Sequence, residues 1–142
     1  MNVLYCSFQS SLQTIHDKVG TVAGELYAEA ARQHLLVTGP QYWFYYGMDG
    51  NPETIFTLEI AVPVSGIPET NDKFLFKELP AFKCMSLVLE GAWTGLKQAY
   101  EKGIQEITKQ KLKMNGVSRE MYVNVDFPRE EYNLTEVQIG II

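Results

Sequence analysis

The chain has 142 residues, of which 46% are apolar and 20% are charged, and its formal net charge is −5 at pH 7. A chain of this length buries roughly 70% of its unfolded surface when it folds, so it needs neither disulfides nor a structural metal. The acidic balance argues against direct nucleic-acid binding, which requires a basic surface to neutralise phosphates. The composition predicts one globular domain, 1–142.

The cysteines and the N-terminus indicate the compartment. Cys6 and Cys84 are too few for a disulfide framework and lack the clustered partners of a zinc site, so we expect both thiols to be reduced. The first residues lack the basic region and apolar core of a signal peptide. No apolar run approaches the roughly 18 residues of a membrane span. The sequence therefore predicts a cytoplasmic protein with no membrane contact and no metal.

β-Branched and aromatic stretches bounded by Gly, Pro, Asn or Asp predict strands, and apolar residues at helical spacing predict helices. In chain order, the predicted elements are a strand at 3–9, a helix at 19–31, strands at 41–47, 54–64, 73–78 and 82–89, a helix with the stripe Leu96, Tyr100, Ile104 and Ile107, and strands at 119–125 and 134–141. Gly39-Pro40 stops the first helix, and Asn115-Gly116 closes the second. Alternation in the segments 56–62 and 135–141 predicts a sheet that helices cover on one side only.

The order strand, helix, strand, strand occurs twice, which suggests an internal repeat. An offset of 77 residues aligns the halves without a gap and gives eight identities over residues 29–62, where ordinary composition gives about two. These identities pair Tyr45 with Tyr122 and Glu59 with Glu136. We therefore predict an α+β fold of duplicated strand-helix-strand-strand modules, with pseudo-repeats at about 1–65 and 78–142.

The repeat and the alternation together indicate a ligand site. Glu59 and Glu136 each lie in the middle of their half's last strand, and we expect both on the non-helical face; the alternative is that such glutamates simply point to solvent. Among the aromatic residues 42–46, alternation places Trp43 and Tyr45 on one face and the other three on the opposite face. Because Tyr45 is equivalent to Tyr122 in the repeat, we assign the face of Trp43 and Tyr45 to a ligand cleft. Aromatic walls with a carboxylate suit a cation that has an apolar body.

Three segments resemble a known family: Glu90-Gly91-Ala92-Trp93-Thr94-Gly95-Leu96, Glu120-Met121-Tyr122 and Leu134-Thr135-Glu136-Val137-Gln138-Ile139. In this order they resemble the GyrI-like small-molecule-binding family, which includes effector domains of AraC-type and MerR-type transcription activators. That family is related in fold to the SOUL haem-binding proteins. The resemblance covers nearly the whole chain. It implies a concave antiparallel sheet with two long helices and a ligand cleft between the halves.

The resemblance also implies roles for single residues. The family's ligands are often lipophilic cations, and Glu136 holds the position of the buried glutamate that meets the positive charge. Tyr122 matches the family's tyrosine in the preceding strand. Trp93 stands where the family more often has tyrosine, which keeps a stacking surface and loses a hydroxyl donor. No cofactor is implied, although the SOUL relationship allows haem ligation by His16 or His34.

The family's regulators carry a helix-turn-helix module, for which this chain has no spare length. We therefore expect a stand-alone binder without a DNA-binding domain, which acts in transcription or by sequestering a drug or toxin. The alternative is a hydrolase of strained electrophilic molecules, because some GyrI-like members resemble such enzymes and a cleft glutamate can act as general base. Both functions need the same carboxylate, and the ligand's identity and the oligomeric state stay open. The predicted ligand-binding residues are Glu136, Tyr122, Trp93, Tyr45, Glu59 and Trp43.

Overall fold

The computed structural model describes all 142 residues and divides the chain into unit 1, Met1–Ala81, and unit 2, Phe82–Ile142. Each unit contains the order strand, helix, strand, strand, with antiparallel strands and a helix packed on one face of them. The α+β class, the duplicated module and the two long helices predicted from the sequence are confirmed. None of the helices combines the length and the apolarity that crossing a membrane requires.

Unit 1 contains a four-stranded antiparallel sheet in the order β4-β1-β3-β2. Its elements are β1 (Asn2–Ser10), α1 (Ile15–Val19), α2 (Val22–Arg32), β2 (Gln41–Tyr46), β3 (Phe56–Pro63) and β4 (Leu75–Glu78). The core forms where Leu26 and Ala30 of α2 meet Leu58 and Ile60 of β3, and all four side chains are fully buried. Burying one such leucine or isoleucine contributes about 1.5–3 kcal/mol.

Unit 2 contains a three-stranded antiparallel sheet in the order β6-β7-β5. Its elements are β5 (Cys84–Glu90), a 3₁₀ turn (Trp93–Gly95), α3 (Leu96–Lys109), β6 (Met114–Asn124), a second 3₁₀ turn (Glu130–Tyr132) and β7 (Leu134–Ile141). Its core is smaller than that of unit 1. It forms where Ala99 and Ile107 of α3 meet Val137 and Ile139 of β7.

The helices differ from the prediction for reasons that the backbone and the packing explain. The first predicted helix begins at Val22 rather than at Val19, because Gly20 has a φ of 49° and separates the short α1 from α2. In the second, Ile104 was predicted to face the core but is exposed. The buried side of α3 passes through Ala99, Gly103 and Ile107 instead, at the spacing of four residues that keeps side chains on one face.

The two long helices end in the same way at positions that are equivalent in the repeat. His34 and Lys111 have φ values of 58° and 57°, in the left-handed region. The following residues, Leu35 and Leu112, each donate a backbone hydrogen bond to the carbonyl five residues earlier, at 2.9 and 3.0 Å. This is the Schellman pattern of helix ends, here without its usual glycine. The backbone therefore preserves the repeat that the sequence identities indicate.

Gly116 does not close α3 as predicted, because α3 already ends at Lys109. Strand β6 begins at Met114, and its pairing with β7 shifts register between Met114 and Ser118. Gly116 lies inside this shift with a φ of 86°, a conformation that glycine adopts without strain. Its role is in the strand rather than at the helix end.

Candidate functional site

Each unit's sheet has a helix-packed face and a reverse face, and in unit 1 the predicted site residues are divided between them. Trp43 and Tyr45 lie on the helix-packed face, where they join the core, and the Tyr45 ring contacts Phe56 at 5.6 Å between centroids. Glu59 is paired across the strands with Phe44 and lies on the reverse face. The predicted placement of Trp43 and Tyr45 beside Glu59 is therefore wrong, because β2 turns its other aromatic set towards that carboxylate.

The same separation occurs in unit 2. Tyr122 is paired with Thr135, and Glu120 is paired with Val137, so both lie on the helix-packed face with the core residues of β7. Glu136 occupies the alternate position of β7 and lies on the reverse face. The prediction that Glu136 stands beside Tyr122 is therefore wrong.

Glu120 is the buried carboxylate of unit 2, and it was not among the residues predicted from the sequence. It is 3% exposed. Its Oε2 accepts a 2.9 Å hydrogen bond from Tyr100 Oη on α3, and its Oε1 accepts a 2.7 Å bond from Tyr122 Oη. Hydrogen bonds of this kind offset the cost of burying a carboxylate. Burial and the neighbouring Glu120 raise the pKa of Tyr100 well above its ordinary value, so its hydroxyl stays a donor.

Further aromatic rings adjoin Tyr122, one of the two donors to this carboxylate. Trp93, in the 3₁₀ turn before α3, meets the Tyr122 ring edge-on at 5.7 Å and 81°. The indole Nε1 donates a 3.0 Å hydrogen bond to Oγ1 of the buried Thr135, which fixes the plane of the Trp93 ring. Phe127 also meets Trp93 edge-on, at 6.1 Å and 78°. Unit 2 therefore combines a buried carboxylate, two tyrosine hydroxyls and an indole wall.

Alternation along β6 was the signal that could have identified Glu120. Glu120 precedes Tyr122 by two residues, so their side chains lie on the same face of the strand. The repeat could not identify it, because the counterpart of Glu120 at the 77-residue offset is Trp43. The acids that occupy equivalent positions in both halves therefore include Glu59 and Glu136 but not Glu120.

Glu136 belongs to a polar chain on the reverse face of unit 2. Its Oε1 accepts a 2.6 Å hydrogen bond from Ser86 Oγ, and its Oε2 accepts a 3.0 Å bond from Gln138 Nε2. Gln138 Oε1 in turn accepts a bond from Arg119, whose guanidinium lies 4.3 Å from the centroid of the Phe82 ring. Glu136 is half-buried rather than buried. Its surroundings are those of a partly solvated strand residue.

Glu59, on the reverse face of unit 1, is paired with a cation of the same unit. Lys77 of β4 donates to Glu59 Oε1, and Tyr46 Oη donates a 2.8 Å bond to the same oxygen. The Lys77 ammonium also lies 4.4 Å from the centroid of the Tyr5 ring and 5.5 Å from that of Phe44. An internal ammonium thus occupies the aromatic and acidic surroundings that would suit a ligand's cation.

A depression of about 260 Å³ beside α2 is lined by charged side chains that already have partners. Its walls carry two ion pairs, Arg32 with Glu29 and Lys73 with Glu25, so these charges satisfy one another. No group of three or more His, Cys, Asp or Glu side chains converges in a way that would hold a metal ion. We therefore assign the candidate site to the surroundings of Glu120.

Comparisons with known proteins identify the fold. A sequence search of curated proteins found no match. The C-terminal domain of EcmrR is 18% identical over 99% of this chain and 92% of its own, with a TM-score of 0.76. In the EcmrR–DNA complex, identity is 20% over 99% of this chain, with a TM-score of 0.79. The chain spans 53% of that longer EcmrR chain.

Two further solved structures are similar over the whole chain. SAV2435 bound to tetraphenylphosphonium is 12% identical, with 88% of its chain covered and a TM-score of 0.63. A hydrolase from Listeria innocua is 10% identical, with 87% of its chain covered and a TM-score of 0.67. At these identities the likeness establishes the fold. The model of the GyrI-like small molecule binding domain matches residues 1–142. The chain therefore belongs to the GyrI-like small-molecule-binding domain family.

Proposed function

We propose that the chain binds a lipophilic cationic small molecule at the helix-packed face of unit 2, with Glu120 as the counter-charge. The observation that carries this proposal is the 3% exposure of Glu120, whose hydrogen-bond donor Tyr122 contacts the Trp93 ring. Water screens a buried carboxylate weakly, so a cation that reaches it is attracted more strongly than at the surface. An aromatic face, and that of tryptophan above all, adds attraction for the same positive charge.

The neighbouring side chains have distinct roles in this account. Tyr100 and Tyr122 orient the carboxylate through their hydroxyls, and Trp93 supplies the apolar wall. The Trp93 N–H is engaged by Thr135, so the indole offers its ring rather than a donor. Trp93 and Tyr122 thus keep the binding role expected from the sequence, whereas Glu120 replaces Glu136.

Two neighbours in fold support the ligand class and the biological role. The SAV2435 structure contains tetraphenylphosphonium, which is a lipophilic cation. The C-terminal domain of EcmrR belongs to a protein whose complex with DNA has been solved. By analogy, the chain senses or sequesters such cations.

Titration with tetraphenylphosphonium tests this proposal. Glu120→Gln keeps an oxygen for the tyrosine hydroxyls but removes the charge, so we expect affinity to fall tenfold or more, about 1.4 kcal/mol. Glu136→Gln is the matched control on the reverse face, and we expect it to change affinity less than twofold. A loss confined to Glu136→Gln, or equal losses in both variants, would contradict the assignment. Thermal melting of each variant checks that it folds.

Hydrolysis of a bound electrophile is the second candidate, and the similarity to the Listeria innocua hydrolase favours it. In that reaction Glu120 would take a proton from water while the water oxygen bonds to a carbon of a strained ring, and the ring C–O bond would break as its oxygen receives the proton. Mass spectrometry of an electrophilic ligand after long incubation separates the two functions. Recovery of the intact ligand supports binding, and a product heavier by one water supports hydrolysis.

A further inference from the structure

Phe127 is the solvent end of a row of aromatic rings that leads to the buried carboxylate. It is 76% exposed, although it is a large apolar side chain. Its ring meets Trp93 edge-on at 6.1 Å, and Trp93 meets Tyr122 edge-on at 5.7 Å. The Tyr122 hydroxyl then donates to Glu120. The row therefore extends from the surface of unit 2 to the proposed counter-charge.

Local hydrogen bonds hold the segment that carries Phe127 in place. The backbone N–H of Asp126 donates a 2.7 Å bond to Oδ1 of the buried Asn133. The Asp126 side chain accepts a 3.0 Å bond from the backbone N–H of Arg129 and also pairs with its guanidinium at 3.3 Å. Phe127 lies between these fixed points. The loop thus holds an apolar ring at a defined place in solvent.

A ligand that covers the exposed Phe127 ring gains binding free energy, because most of the ring's apolar surface is still in contact with water. A flat ligand group that lies against Trp93 can cover it by stacking on or meeting the edge of Phe127. An aliphatic group gains only apolar contact there, without the additional attraction between aromatic rings. The two kinds of ligand body therefore differ at Phe127 even when their charge is the same.

We propose that Phe127 is a ligand-contacting residue that forms the outer wall of the site and selects cations with an aromatic body over aliphatic cations. This inference rests on the proposed function of the Glu120 site. It assigns selectivity for the ligand's body to the loop after β6, and recognition of its charge to Glu120.

Titrations with two phosphonium ions test the selectivity. Tetraphenylphosphonium and tetrabutylphosphonium carry the same charge on the same atom, and they differ in whether the body is aromatic. In Phe127→Leu, which keeps an apolar side chain without a ring, we expect affinity for the aromatic ion to fall about threefold to tenfold. We expect affinity for the aliphatic ion to change less than twofold. Ile67→Ala in unit 1, where the side chain is 77% exposed, is the matched control and should change neither affinity.

The outcomes separate this inference from the proposed function. If wild-type protein binds neither ion, the proposed function is wrong and the inference is wrong with it. If wild-type protein binds and Phe127→Leu binds both ions unchanged, only the inference is wrong. An equal loss for both ions would overturn the selectivity, because it would show Phe127 to be a general apolar cover. Loss for the aromatic ion alone supports the inference.

Discussion

Tyr122 and Glu120, two residues apart on β6, are joined by a 2.7 Å hydrogen bond from Tyr122 Oη to Glu120 Oε1. Their spacing places both side chains on the face that α3 covers, and Tyr100 of α3 donates to the second carboxylate oxygen. Glu136 lies on the opposite face of the same sheet. The carboxylate with the aromatic surroundings of a ligand site is thus the one in β6 rather than the one in β7.

Tryptophan emission should report ligand binding through Trp93 and not through Trp43. Trp93 lies beside Tyr122 in the proposed site, whereas Trp43 packs on the core of unit 1 and donates a 2.8 Å bond to Gln41. We expect the emission change on adding tetraphenylphosphonium to persist in Trp43→Phe and to be absent in Trp93→Phe. The reverse pattern would place the ligand against unit 1.

Two helical glycines should respond to alanine in opposite directions. A Cβ at Gly103 would lie 2.6 Å from Ile139 Cδ1 and 2.9 Å from Leu87 Cδ2, whereas at Gly24 nothing lies within 4 Å. Gly24→Ala should raise the free energy of unfolding by about 0.5–1 kcal/mol through helix propensity. Gly103→Ala should lower it by about 1–2 kcal/mol, because overpacking exceeds that gain. Denaturant unfolding measures both, and stabilisation at Gly103 would contradict the close packing of α3.

The Lys77–Glu59 ion pair should be energetically coupled. The Lys77 side chain is 28% exposed and that of Glu59 is 13% exposed, so solvent screens the pair less than a surface pair. A double-mutant cycle with Lys77→Met and Glu59→Gln should give an interaction energy of about 1 kcal/mol. Denaturant unfolding of the four proteins provides the value. A result near zero would mean that the pair does not stabilise unit 1.

Glu29 should make stability depend on pH in the acid range. Hydrogen bonds from the Arg32 side chain lower the pKa of Glu29 to about 2, from an ordinary value of 4.5. The folded state therefore binds the proton less readily than the unfolded state, so the stabilisation is complete above about pH 4.5 and is lost as the pH falls towards 2. The contribution should be below about 1 kcal/mol, because Arg32 is 63% exposed.

Glu29→Gln provides the comparison for this pH dependence. The variant should show a shallower loss of unfolding free energy than wild-type protein between about pH 4.5 and pH 2. Thermal unfolding at stepped pH values measures the difference. Parallel curves for the two proteins would contradict the role of the Glu29–Arg32 pair.

The elements of the fold were predictable from the sequence, but several ends were not. Alternation in β7 correctly placed Val137 and Ile139 towards a helix. The stop signals were assigned to the wrong residues, because His34 and Lys111 adopt the left-handed conformation that glycine normally supplies. Because neither histidine nor lysine signals such a turn, the stops were predicted at glycines further along the chain.

The candidate site was predictable only in part. Trp93 and Tyr122 were selected from the family resemblance and lie in contact. The orientation of β2 was not predictable, because five consecutive aromatic residues make both of its faces equally apolar. Tyr45 therefore carried no signal for its face, and the face assigned to it was wrong. Glu120 was missed because its counterpart in the repeat is an aromatic residue.

The most direct test of the account compares tetraphenylphosphonium with tetraphenylborate, which has the same shape and the opposite charge. Wild-type protein should prefer the cation, and Glu120→Gln should reduce the ratio of the two affinities tenfold or more, because a buried carboxylate distinguishes the charges and an amide does not. Glu136→Gln should leave the ratio within twofold of wild type. An unchanged ratio in Glu120→Gln, or the full change in Glu136→Gln, would contradict the assignment of Glu120 as the counter-charge.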